Sequence, residues 1–347
     1  MKILIINNPI PAREQFSDQR FAKMVAILGD VGFNARYMRV FTIAELEKAL
    51  QDEIPDIVYA ANYYITDDGG KRISVSSILD EKGLPYIGSD EKVLELVLSK
   101  ARLKEKWLKE GVLTPPFFRA SRENVLETIK DIQSTGEFPY ILKPDKEGNS
   151  RGLEEDSIVF GQPALQEKLN KLLVTYNEVL VEEYLGDIPG IREFTIGMIG
   201  NPGHMLLMPA EIILKVPKEH RIITTSDKDE HHTQALPVTD PSLRKDLLRF
   251  AEKALLTAQV RDYARCDILM VGDQFYAIEI NGLPMIPDKW FEICASGVGL
   301  SSSQYILAVI MAGLIRNLKN KRSRIRLTGK MIHSLPGYFW KTLCENR

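Results

Sequence analysis

Apolar positions recur along the chain in two rhythms. In roughly the first 95 residues, short apolar runs alternate with amphipathic stretches. "KILIINN", "NARYMRV" and "DIVYAAN" read as strands, and residues 18–29, "TIAELEKAL" and "SVSSILDEKG" as helices. Asp18 caps the first of these helices in this reading and Gly29 stops it. "PYIG" ends the block as a short strand. Strands alternating with helices predict a parallel sheet covered on both faces.

Residues 90–111 continue as helix, and "TPPF" breaks them off. A smaller α+β block follows: "RENVLETIKDIQ" as helix, "PYILKP" as strand, the polar loop "DKEGNSRG", "SIVF" as strand, then "ALQEKLNKLL" and "EVLVEEYL". Beyond it the rhythm changes to period-two strands: "REFTIGMIG", "HMLLMPAEIIL", "RCDILMV" and "QFYAIEIN", with helices at residues 241–257 and about 301–318. Among the strands, "TTSDKDEHHTQ" reads as a mobile loop. The pattern divides the chain into an N-terminal parallel α/β unit (1–95), a central small α+β unit (96–185), a C-terminal unit with an antiparallel sheet (186–316) and a basic extension (317–347). The fold class is α/β and α+β combined.

Composition changes this picture little. The 347 residues are 44% apolar and 27% charged, ordinary for a globular chain with a sizeable core. A net charge of −2 argues against nucleic acid as the main partner. From residue 316 onward nine Lys/Arg face one Glu, so the extension reads as a solvated basic appendage. Three widely spaced cysteines fit buried thiols in a reducing compartment. The five histidines show no zinc spacing. The chain opens on a strand, with no signal peptide, and its longest apolar run, "YILAVIMAGLI", is too short to span a bilayer and reads as a buried helix. A cytoplasmic protein without a membrane span is expected.

Candidate chemistry concentrates in "CDILMVGDQFYAIEIN". Alternation places Arg265, Asp267 and Leu269 on one face of the first strand, and Phe275, Ala277, Glu279 and Asn281 on one face of the second. A three-residue loop at residues 272–274 sets Asp267 opposite Glu279 and Arg265 opposite Asn281. Two carboxylates side by side in a dry sheet repel unless a cation lies between them. An all-oxygen set of two acids and an amide suits a hard cation such as Mg²⁺ shared with phosphates. A solvated sheet face would carry single acids equally well, but the three together with Arg265 favour a metal–phosphate site. Lys143 ends an apolar strand just before the loop of Gly148, Asn149 and Ser150, an arrangement suited to a polyphosphate. No P-loop and no GxGxxG is present. Glu182, Glu183 and Leu185 follow a buried strand whose edge can hold a purine, with Glu193 nearby for ribose hydroxyls; acids flanking a domain linker read the same way.

In order and spacing, "GLPYIGS", "LSK", "ILKPDKEGNSRG", "EVLVEEYL" with "REF", and "RCDILMVGDQFYAIEIN" resemble the D-alanine–D-alanine ligase family of the ATP-grasp superfamily, over roughly residues 1–316. The resemblance implies the ATP-grasp fold and an ATP-dependent carboxylate–amine ligase. Such an enzyme joins two amino acids through an acyl phosphate and releases ADP and phosphate. It implies Lys100 and Lys143 on phosphates; Glu182, Glu183 and Leu185 at the adenine; and Glu193 at the ribose. Asp267, Glu279 and Asn281 are implied as ligands of two Mg²⁺, with Mn²⁺ as a substitute. Arg265 is implied at the oxyanion and Lys228 at the γ-phosphate. A homodimer is implied too.

The matches thin out where substrates would lie. "NNPIPAREQFSD" stands where the family has Gly-Gly and an acid for the first amine, Ala12 taking the acid's place. "NYYITDDG" replaces a His-Gly signature, Asn149 a serine and Asp229 a tyrosine. "GLPMIPDKWF", with Trp290, replaces a Ser-rich turn. The expectation is retained chemistry on substrates other than two D-alanines. The alternatives are a diverged D-alanine–D-alanine ligase and, in another class, a non-catalytic ATP-binding module.

Overall fold

The computed structural model describes residues 1–9, 14–135, 138–147, 152–224, 227, 232–318 and 325–344. The N-terminal sheet holds β1 (Lys2–Asn7), β2 (Asn34–Arg39), β3 (Ile57–Ala60) and β6 (Tyr86–Ile87), all parallel in the order β2-β1-β3-β6. Both faces of β1 are buried, which explains its unbroken apolar run. Ile3 and Ile5 pack in one cluster with α1 (Glu14–Asp30), while Leu4 and Ile6 pack in another with α2 (Ile43–Glu53) and α3 (Val75–Glu81). Asp18 is not a cap: the helix starts at Glu14, and the Asp18 carboxylate pairs with Arg39 on the neighbouring strand. Thr42 does cap α2, in a reciprocal box with Glu45. The sequence reading missed a hairpin, β4 (Tyr64–Thr66) and β5 (Arg72–Ser74).

Helices α4 (Glu91–Leu98) and α5 (Lys100–Lys109) break at Ser99, which caps the second. These helices do not open the central unit as expected. Trp107 is fully buried, donates to the Ala254 carbonyl at 3.0 Å, and packs in the core of the C-terminal unit. A fully apolar tryptophan face outweighs the chain break in setting that boundary. The central sheet runs β7-β10-β8-β9, from β7 (Phe117–Ser121), β8 (Tyr140–Pro144), β9 (Ile158–Val159) and β10 (Glu178–Glu183). It is backed by α6 (Val125–Thr135) and α7 (Gln162–Thr175).

The C-terminal sheet is antiparallel, in the order β13-β12-β11-β14-β15: β11 (Arg192–Asn201), β12 (His204–Leu214), β13 (Thr233–Pro237), β14 (Asp262–Val271) and β15 (Gln274–Asn281). One face packs on α4, α5 and α8 (Pro241–Ala258). The other meets α9 (Lys289–Ser296) and α10 (Ser302–Leu318). Helix α10 is the apolar run of the sequence, buried between this sheet and the N-terminal one. Among the described residues no helix is long and apolar enough to cross a membrane.

The basic extension is not a solvated appendage. Its described part forms α11 (Gly329–His333) and α12 (Gly337–Cys344), and Met331, Phe339 and Leu343 from these helices, with Leu335 between them, are buried in the same core as α10. Apolar residues at helical spacing dock it despite the flanking charges. Cys266 and Cys294 are buried, and burial pushes the Cys294 thiol up to about 12; Cys344 is exposed, against expectation.

Candidate active site

A cleft of about 1080 Å³, open solvent at its mouth included, separates the central sheet from the C-terminal sheet. One part of its wall is apolar, with Ile141, Leu153, Leu185, Ile222 and Ile278; another carries Lys100, Lys143, Asp267 and Glu279. An apolar slot beside paired cations and carboxylates has room for a planar ring and a chain of phosphates.

Asp267 stands opposite Glu279 and Arg265 opposite Asn281, as the sequence predicts, but by another route. The loop is a two-residue turn, with Val271 paired to Gln274, and a bulge next to Asp267 restores the count. The bulge also reverses the facing. Phe275 and Ala277 are buried in the core with α8, while Ile278 and Glu279 both line the cleft. Asp267 accepts from the Thr195 hydroxyl at 2.6 Å and lies 3.4 Å from Arg265 Nε. Asn281 is not part of the cleft lining; its Oδ1 accepts from the Leu283 N–H at 3.1 Å.

Lys100 and Lys143 meet because Asp145 sews α5 onto the end of β8. Its carboxylate accepts from the Ser99 hydroxyl at 2.6 Å and the Ala101 N–H at 2.7 Å. The Lys100 ammonium lies 3.5 Å from Glu279 Oε2 and donates to the Glu147 carbonyl. The Lys143 ammonium donates to Glu182 Oε1 at 2.7 Å.

Glu182, Glu183 and Leu185 all line the cleft, and the Glu182 side chain, 3% exposed, also sits in an ion cluster with Lys143 and Lys104. Burial alone would raise the Glu182 carboxyl, but Lys104 and Lys143 overcome it and hold it at about 2. Glu193 lines the cleft and pairs with Arg221 at 3.1 Å. Arg221 also donates to the Ile212 carbonyl at 3.0 Å. Its backbone carbonyl accepts from the Tyr184 hydroxyl at 3.1 Å, so the 221–223 segment is tied to the turn after β10.

Arg265 stacks on the Trp290 indole, 5.1 Å from the ring centre, with Nη1 3.8 Å from Asp288 Oδ2. Burial would lower the guanidinium, but Asp267, Asp288 and Glu279 push it above its ordinary value. Trp290, not Arg265, forms the cleft wall. Lys228, Gly148, Asn149 and Ser150 lie outside the described residues.

Residues 107–311, more than half the chain, match the family model for the D-Ala–D-Ala ligase C-terminus. The chain belongs to the D-alanine–D-alanine ligase family. As a member of it, it is an ATP-grasp protein and an ATP-dependent ligase of carbon–nitrogen bonds. It is 24% identical over 306 residues to the D-alanine–D-alanine ligase of Carboxydothermus hydrogenoformans, covering 82% of this chain and 92% of that protein. With the ligase of Hydrogenovibrio crunogenus it shares 26% over 318 residues, 89% and 93% of the two chains. Among solved structures, the Bacillus anthracis D-alanine–D-alanine ligase complexed with ATP superimposes with a TM-score of 0.73 at 20% identity, covering 92% of this chain and 99% of that one. The VanG D-Ala:D-Ser ligase of Enterococcus faecalis gives 0.69 at 18%, covering 90% and 99%.

Within this D-alanine–D-alanine ligase-like cleft, sequence reasoning missed Lys104, Thr195, Arg221 and Asp288. Lys104 falls four residues after Lys100 on an amphipathic helix, so its inward face was readable from spacing alone. The other three take meaning only from partners distant in sequence.

Proposed function

We propose that this ligase phosphorylates a carboxylate with ATP and joins the resulting acyl group to an amine, on substrates other than two D-alanines. The juxtaposition of Lys100, Lys143, Asp267 and Glu279 at one end of an apolar slot carries the reading. Adenine lies in the slot beside Leu185 and the backbone of Glu183, and Glu193 takes the ribose hydroxyls. Lys100 and Lys143 take phosphate oxygens as charge-assisted donors.

Asp267, Glu279 and Asn281 would hold Mg²⁺, which supplies charge neutralisation to the transferring phosphate. Their oxygen-only donor set fits that ion, and each carboxylate already has a cation at 3.4–3.5 Å, so the pair is tolerated only in a compensated state. A carboxylate oxygen of the donor attacks the γ-phosphorus and ADP leaves. The amine nitrogen then attacks the acyl carbon, and the carbon–oxygen bond to phosphate breaks as the nitrogen loses its proton. Arg265, held over Trp290, faces the negative charge that develops on the acyl oxygen. The altered-substrate reading rests on Trp290, a large rigid wall beside that arginine. Mg²⁺ dependence and a cytoplasmic location belong to the same reading.

The test is phosphate release from Mg-ATP with D- and L-amino acids, singly and in pairs, with mass spectrometry of products. Release with pairs other than two D-alanines supports the proposal. Efficient turnover of D-alanine alone at millimolar concentration marks a diverged D-alanine–D-alanine ligase instead.

A further inference from the structure

Lys104 projects from α5 one turn beyond Lys100, and its side chain is 1% exposed. A buried ammonium is tolerated only with close partners. Lys104 Nζ lies 2.6 Å from Glu182 Oε2, while Lys143 Nζ lies 2.7 Å from Oε1 of the same carboxylate. Lys104 also bonds the Thr114 hydroxyl, which itself donates to the Ala277 carbonyl of β15 at 2.7 Å. Thr114 therefore accepts from Lys104 and a carboxylate lies against it, which suits its charged form. The Phe117 ring is 6.0 Å away, and Lys143 and Glu279 are the other charges facing it. Burial pulls the Lys104 ammonium down from its ordinary value, and Glu182 pulls it back up.

Two lysines thus share one carboxylate, and the cluster carries one surplus positive charge. The lysine that lines the cleft is Lys143, not Lys104. We propose that Lys104 is a positioning residue for the nucleotide: by engaging one oxygen of Glu182, it leaves the charge of Lys143 available to phosphate. This rests on reading Lys143 as a phosphate contact. Without Lys104, Glu182 and Lys143 would form a neutral pair, and the nucleotide would lose a full charge's attraction.

The test is the dissociation constant for Mg-ATP, measured by titration calorimetry on the full chain. Lys143→Met is expected to weaken binding at least tenfold, and Lys104→Met about tenfold. Lys104→Met/Glu182→Gln, which restores the surplus charge, is expected to return it to within about threefold of the original. Unchanged binding in Lys143→Met overturns the Lys143 reading itself. Weakened binding in Lys143→Met with none in Lys104→Met overturns only the role of Lys104. A double variant as weak as Lys104→Met also overturns it, because loss of packing would not be rescued by removing a carboxylate. If Lys104→Met does not fold, the double variant, in which both buried ions are replaced, still decides by the same threefold and tenfold limits.

Discussion

Removing the Asp262 carboxylate should loosen the N-terminal unit from the rest of the molecule. Asp262 opens β14 and is fully buried. It accepts from Arg316 Nε at 2.9 Å, from Arg316 Nη2 at 2.7 Å, and from the Gly88 N–H at 2.8 Å. Arg316 comes from α10 and Gly88 from the turn after β6, so one carboxylate joins three elements. Breaking a buried ion pair by removing one partner costs about 3–5 kcal/mol, because the remaining charge is stranded. Arg316 keeps the Tyr86 carbonyl at 2.8 Å, which places Asp262→Asn near the lower end. Asp262 also holds φ at 64°, a left-handed conformation that Asp and Asn tolerate better than Ala. Asp262→Ala should therefore lose roughly 1 kcal/mol more than Asp262→Asn. For 347 residues unfolding together, an entropy of about 0.7 kcal/mol per degree turns a loss of 4 kcal/mol into roughly 6 °C. Calorimetry should show that drop in a single cooperative transition. Asp262→Asn within about 1 kcal/mol of the original protein would refute the reasoning.

Three further outcomes are expected. The Glu182 carboxyl lies at about 2 when folded against 4.5 otherwise, so its stabilisation is present above about pH 4.5 and lost as pH falls toward 2. That amounts to at most about 3 kcal/mol, since burial of Lys104 opposes it; the urea midpoints at pH 7 and pH 3 should lie closer together in Glu182→Gln than in the original, and an equal separation in both would refute this. Trp290→Ala should change the KM of the amine substrate at least tenfold while that of ATP moves less than threefold; an effect on ATP alone would misplace the indole. Truncation after Leu318 should yield unstable or aggregating protein, because Phe339 is fully buried and Met331 is 2% exposed. A truncated chain melting within 2 °C of the full one would contradict the docking of α11 and α12.

The architecture was legible where one physical signal dominated. Alternating strands and helices predict the parallel sheet, and period-two runs predict four of the five C-terminal strands. The facing of Asp267 and Glu279 was legible as well, although the bulge that produces it was not, since a bulge leaves no mark in an alternating pattern. Trp107 shows why the unit boundary was misplaced: an amphipathic helix does not say which sheet its apolar face will meet. The docked extension was obscured by its charges, with Phe339 and Leu343 too few to stand out against eight basic residues. Lys104 and Glu182 were each readable as charged side chains, but that one neutralises the other across two units depends on the fold.

The most direct measurement follows an oxygen atom. The carboxylate donor that supports phosphate release would be labelled with ¹⁸O in its carboxyl group and incubated with Mg-ATP and its amine partner, and the released phosphate weighed by mass spectrometry. An acyl phosphate passes one carboxyl oxygen to phosphate, so the account predicts phosphate heavier by one ¹⁸O in step with product formed. Unlabelled phosphate accompanying product would contradict it.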